Sequence, residues 1–296
     1  MMTRRDAAKL LGAALPGACA AQQQLTGEAP GRITPVSEIV NAYEAEAMAR
    51  RALHPERFAE IAAGSRAPFD RITFRPRMMV NSLDLDLSVE LFGVKLFTPI
   101  VAGPVAELSR FHAGGEPEWL KGAEAAKTHV LLAAGGGTFP VTFYSGDWAG
   151  FDKARAASKA PVLMKGILRA EDAKAAVERG AAGIVVSSYR PGVAELPGLA
   201  APIAVLPAIA DAVGGRIPIL IDGGFARGTD VLKALALGAR AVLVARPLLW
   251  GFAAYGAPGV QQVLELMQSE LARAMVMCGA PNVAAITRAL VRLHKR

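Results

Sequence analysis

Residues 217–250, IPILIDGGFARGTDVLKALALGARAVLVARPLLW, constrain the fold more than any other stretch. A short apolar run, Ile217 to Ile221, has the length and β-branching of a strand buried on both faces. Asp222-Gly223-Gly224 ends it with two residues that let backbone approach a ligand closely. Thr229-Asp230 then open a helix through Leu237, closed by Gly238. A second buried strand, Ala241 to Val244, ends in Ala245-Arg246-Pro247. This is one βαβ unit with glycines and an arginine gathered at one end of adjacent parallel strands. Ligands bind at that end in parallel α/β folds, and amide-rich turns beside a cation suit a phosphate.

The same rhythm recurs upstream. Short apolar runs at 99–104, 130–133, 161–166 and 183–187 read as strands, with VTFY (141–144) a weaker one. Helical patterns occupy 116–127, 148–157, 170–179 and 206–213. Strands alternating with helices at this spacing imply a parallel sheet. No G-x-G-x-x-G opens a helix, which disfavours a dinucleotide-binding open sheet. Gly103-Pro104, Lys165, Ser187, Asp222 and Arg246 all fall at strand ends, and a barrel collects such residues at one mouth. The expected fold is α/β, a TIM-type (β/α) barrel over 99–296 with closing helices at 259–278 and 281–293. Before it, 36–98 is expected as a helical and extended N-terminal segment, with helices at 36–51 and 55–63 and an extended passage at 72–87.

The 296 residues are 52% hydrophobic and carry a net charge of +7. No Lys/Arg cluster is interleaved with aromatics, so a basic surface for anionic small molecules is favoured over a nucleic-acid partner. Two cysteines, Cys19 and Cys278, build no disulfide framework, and no Cys/His spacing suits a metal. Met267, Met275 and Met277 fall at helical spacing and read as core. Residues 1–20 combine Arg4-Arg5 and Lys9, a mildly apolar run and Ala18-Cys19-Ala20, a small-x-small cleavage candidate. They resemble a twin-arginine export signal, too short to span a bilayer, followed by a linker over 21–35. A periplasmic location is the expectation; a lipoprotein cysteine at Cys19 and a cytoplasmic N-terminal helix are the alternatives.

Taken together, PVLMKGILRAEDAKAAVERGAAGIVVSS, the 217–250 stretch, FDRITFRPRMMV, LFGVKLFTPIVAGPVA and FHAGGE resemble, in order and spacing, the FMN-dependent 2-hydroxy-acid oxidoreductases, the family of glycolate oxidase and lactate oxidase. The likeness is closest over 161–278 and weaker over 33–135. It implies FMN as cofactor, a small-molecule substrate such as a 2-hydroxy acid, and a homo-oligomer. Pro104, Val105 and Ala106 match the segment passing the flavin ring. Lys165 matches the lysine near flavin N1 and O2, and Ser187 the residue beside it. Asp222, Gly223, Gly224, Arg227, Ala245 and Arg246 match the phosphate cradle, with Ala245 where the family has glycine.

Three departures bear on chemistry. Tyr189 stands in place of the family's catalytic histidine and Gly192 in place of its substrate-binding arginine, with Arg190 two residues earlier. Phe58 stands near the position of a substrate-binding tyrosine. A positioned general base contributes about 10²–10⁴-fold, and a free tyrosine hydroxyl, titrating near about 10, is a poor base at neutral pH. The interval between the 130 and 161 strands is also short, leaving seven strands where eight are expected and one βα unit missing or compressed. Tyr144 is the remaining candidate there to contact the flavin's pyrimidine edge. An open strand edge must be covered or paired, by a distorted barrel, by the N-terminal segment or by dimerisation. Alternatives to an active oxidoreductase are a non-catalytic flavin-binding remnant and a barrel acting on another phosphorylated small molecule.

Overall fold

The computed structural model describes residues 33–77, 80, 84–133, 137–189 and 199–294. The expected export signal, most of the linker, Gly135-Gly136, Arg190 and Gly192 lie outside the described residues. Every helix and strand among the described residues belongs to the unit Pro35–Arg296.

Helices α1 (Ala42–Ala52), α2 (Pro55–Ala59) and α3 (Ala67–Asp70) precede strand β1 (Ile72–Phe74) and the hairpin β2 (Val89–Leu91) and β3 (Val94–Leu96). The barrel repeat then runs β4 (Ile100–Val105), α4 (Gly115–Ala125), β5 (Val130–Leu132), β6 (Thr142–Tyr144), α5 (Trp148–Ala157), β7 (Val162–Ile167) and α6 (Ala170–Glu178). It continues through β8 (Gly183–Val186), α7 (Pro202–Val213), β9 (Ile219–Ile221), α8 (Gly228–Ala236) and β10 (Ala241–Val244). Helices α9 (Arg246–Tyr255) and α10 (Ala257–Met277) and strand β11 (Val291–Leu293) close the chain.

Seven parallel strands pair in the order β5-β4-β10-β9-β8-β7-β6. The sheet is a curled barrel open between β5 and β6, where the missing unit would sit. Side chains alternate across each strand, so every strand serves two cores. Val101, Leu131, Leu163, Val185, Leu220 and Leu243 meet inside, and Val89, Leu91 and Leu96 of the β2–β3 hairpin plug that interior from below. Ile100, Ile184, Val186, Ile219, Ile221, Val242 and Val244 face the helical shell. The hairpin was not expected; its signal is the V-E-L/V-K-L alternation about Phe92-Gly93.

The exposed edge of β5 is handled locally. The chain doubles back so that Leu131 bridges Gly137, Thr138 Oγ1 accepts from Val130 N at 2.9 Å, and Phe139 N donates to Val130 O at 3.0 Å. Phe139 is buried in the interior core, edge-on to Phe92.

Three expectations are corrected. Residues 281–293 form no closing helix: two 3₁₀ turns lead into β11, which pairs antiparallel with β1, Thr73 opposite Arg292. A backbone partner far along the chain overrides a helical apolar pattern, and β-branched Val291 accommodates the extended form. The expected helix at 36–51 splits into a 3₁₀ turn and α1, because Asn41 caps the helix by accepting from Tyr43 N and Glu44 N. Met267 and Met275 are core, whereas Met277 lies 67% exposed on the last turn of α10.

Candidate cofactor site at the barrel mouth

The period-2 alternation that builds the interior core also places the site. One inward step beyond Leu163, Val185, Leu220 and Leu243 stand Lys165, Ser187, Asp222 and Ala245. The strands thus deliver these four positions to the carboxyl-terminal mouth on a packed floor. Lys165, Ser187 and Asp222 are 5%, 1% and 8% exposed. The Lys165 ammonium is ion-paired with Asp222 Oδ2. It also lies 5.9 Å from the Phe143 ring centroid and 5.8 Å from that of Tyr189, within cation–π range. Ser187 Oγ accepts from Tyr189 N at 3.2 Å, which ties the start of the following loop to β8.

Asp222 Oδ1 is buried with no hydrogen-bond partner among the described residues. An orphaned carboxylate oxygen is costly unless something donates to it, about 1–3 kcal/mol and more when charged. A polyol hydroxyl supplies such a donor. Gly223 and Gly224 follow at φ +95° and +81°, and a Cβ on Gly224 would come within 2.9 Å of Phe69 Cε2. Only glycine fits there. Beside this turn, Ala245 and Arg246 open α9, whose N-terminus favours negative charge. Buried acceptor, bare backbone turn and helix start together suit a ligand carrying hydroxyls and a phosphate, as FMN does.

The other expected residues divide. Pro104 is half-buried at the end of β4, Val105 is buried, with its carbonyl accepting from Ala133 N at 2.9 Å, and Ala106 is exposed. The Arg227 guanidinium is occupied away from the turn, donating to Glu270 Oε1 of α10 at 2.8 Å. Phe58 is buried in the helix-facing core with the Arg50 guanidinium 4.7 Å above its ring. Tyr189 is 54% exposed. On β6 the alternation puts Phe143 toward Lys165, while Tyr144 packs outward, 6.2 Å from Phe151. Phe143 therefore takes the place at the mouth expected for Tyr144. His112 is a packed loop residue, its Nδ1 accepting from Gly114 N at 3.1 Å and its ring 5.1 Å from Phe252.

One further group went unread in the sequence. Arg66, just before α3, donates to Gly224 O at 3.0 Å and grips fully buried Asp230 through both terminal nitrogens at 2.6 and 2.7 Å. Nothing periodic marks an arginine in a loop whose partner lies 164 positions away.

Comparison with known proteins gives the family. Residues 59–140 and 140–293 match the family described as FMN-dependent dehydrogenase. The chain is 48% identical over 145 residues to 2-hydroxyacid oxidase 1 of Mus musculus, a match covering 49% of this chain and 39% of that protein. The chain thus spans about two fifths of that relative's length. Glycolate oxidase 1 of Oryza sativa subsp. indica is 29% identical over 355 aligned positions, covering 86% of this chain and 96% of the relative. A crystal structure of mandelate oxidase superposes with TM-score 0.80 at 28% identity, covering 87% of this chain and 100% of the other. A second, of mandelate oxidase with (S)-2-phenylpropionate, gives TM-score 0.80 at 29% identity. With FMN as its cofactor, the chain belongs to the FMN-dependent dehydrogenase family.

Proposed function

We propose that this chain is an FMN-binding oxidoreductase whose cofactor half is retained and whose hydroxy-acid half is rebuilt, so that oxidation of 2-hydroxy acids is slow. When bound, FMN supplies the two-electron acceptor for hydride leaving the substrate's α-carbon. Lys165 would hold positive charge at the mouth against the bound flavin. Asp222 accepts from the cofactor's hydroxyls, and the Gly223-Gly224 turn with Arg246 carries its phosphate. Tyr189, in the position of the family's histidine, offers a solvent-facing phenol in place of an imidazole base. Loss of a general base costs about 10²–10⁴-fold.

The observation that carries this reading is the buried Lys165–Asp222 pair with one carboxylate oxygen left open beside a turn that admits only glycine. The test is a thermal-shift titration with FMN, followed by anaerobic addition of glycolate, lactate or mandelate while flavin absorbance is followed. The expected result is a raised melting temperature and bleaching slower by about 10²–10⁴-fold than in a 2-hydroxy-acid oxidase that keeps the histidine. A colourless protein whose melting FMN leaves unmoved overturns the proposal. The absent base also favours a second reading, a flavin-binding protein without turnover, which bound but unbleachable flavin would select.

A further inference from the structure

The cradle has two arms, Gly223-Gly224 after β9 and Ala245-Arg246 at the start of α9, and both belong to the barrel repeat. A segment from outside the repeat touches both. Trp250 Nε1 donates to Ile61 O at 2.7 Å and Arg246 Nη1 to Ala62 O at 3.4 Å. A Cβ on Gly64 would lie 3.3 Å from Arg246 Nη1. Arg66 then reaches the other arm, at Gly224 O and Asp230. Asp230 in turn accepts from Ala226 N at 3.1 Å and Arg227 N at 3.0 Å, so the whole turn after Gly224 is strung on one arginine–carboxylate pair.

We propose that residues 61–66 brace the cofactor-phosphate cradle, with Arg66 as the positioning residue that sets its geometry; this rests on the FMN reading above. The peptide bond is planar and trans, so pinning the Gly224 carbonyl also fixes the direction of the Phe225 N–H on the opposite edge of that peptide. At positive φ, Gly224 has little steric restraint of its own, and the restraint comes from Arg66. Asp230 neutralises the guanidinium, so the contribution is geometric and not the charge of a phosphate ligand. The planar fork holding two carboxylate oxygens and a carbonyl is a task lysine cannot perform.

The test measures dissociation constants of the full chain for FMN and for riboflavin, which lacks the phosphate. Arg66→Met is expected to lose about 10- to 100-fold in FMN affinity, the scale of a lost charge-assisted hydrogen bond. Riboflavin affinity should stay at its native value, since the brace acts only on the phosphate end. The phosphorus resonance of bound FMN should shift as well. Should Arg66→Met fail to fold, Arg66→Met with Asp230→Asn removes the stranded carboxylate charge. Gly64→Ala tests the other arm without touching Asp230, and is expected to lower the FMN-over-riboflavin preference severalfold. Folded variants keeping the native preference overturn the brace and leave the cofactor reading standing. A native chain binding neither flavin removes both.

Discussion

At the scale of single residues, the mouth is held by charges that cannot be removed one at a time. Lys165→Met would leave Asp222 buried without its cation, and breaking a buried pair from one side costs about 3–5 kcal/mol. Urea unfolding of the flavin-free chain should show that loss, and adding Asp222→Asn should recover most of it; an unchanged midpoint would mean that the pair is solvated. Lys233 titrates in the opposite sense to a paired group. Its ammonium is buried, donates to Phe69 O at 2.9 Å and lies 5.5 Å from the Phe74 ring. Desolvation, with Arg66 nearby, pushes it below its ordinary value of 10.5, against the pull of Asp230 and Asp70. Between that depressed value and 10.5 the unfolded chain binds more protons than the folded one, so stability rises with pH across this window and is lower beneath it. Urea midpoints compared as pH is raised towards 10.5 should rise in the native chain relative to Lys233→Met, which has no such group to titrate.

Among elements, α9 and α10 meet through glycines. A Cβ on Gly259 would lie 2.0 Å from Gly251 O, and one on Gly251 would lie 2.3 Å from Gly259 O. Both atoms met are backbone, so relief requires the helices to separate. Overpacking of this kind typically costs about 1–3 kcal/mol, and Gly259→Ala is expected at or above the top of that range. Because α9 starts at Arg246, the separation should also weaken FMN binding. A Gly259→Ala protein with native melting and native FMN affinity would show that the helices part without strain. The alternation within β7, β8 and β9 makes Lys165, Ser187 and Asp222 legible in the sequence, since each follows a buried run by one inward step. On β6 three residues were too few to tell the faces apart, and Tyr144 was expected where Phe143 stands.

For the whole molecule, the question is how a barrel short of one unit avoids presenting a raw edge. The answer here is a turn-back between β5 and β6 that lays Phe139 into the interior core and pairs with β5. Phe139→Ala should cost about 3–5 kcal/mol as a buried aromatic lost. It should also free the β5 edge, which would appear as concentration-dependent association in light scattering. Loss of stability without association would mean that the edge stays covered by backbone contacts alone.

The alternation of strands and helices within the barrel repeat, its seven parallel strands and the glycine turn after β9 follow from sequence alone. Period-2 burial and breaker residues act over a few positions, and the chain repeats them unit after unit. The tertiary structure alone decided the pairing of β1 with β11, the turn-back that covers the seam, the capture of Arg227 by Glu270 and the reach of Arg66 to Gly224 and Asp230. Each joins residues well apart in the chain or depends on which of two faces a short segment presents. Local propensity carries no information about such partners: their energy exists only once the barrel has brought them together.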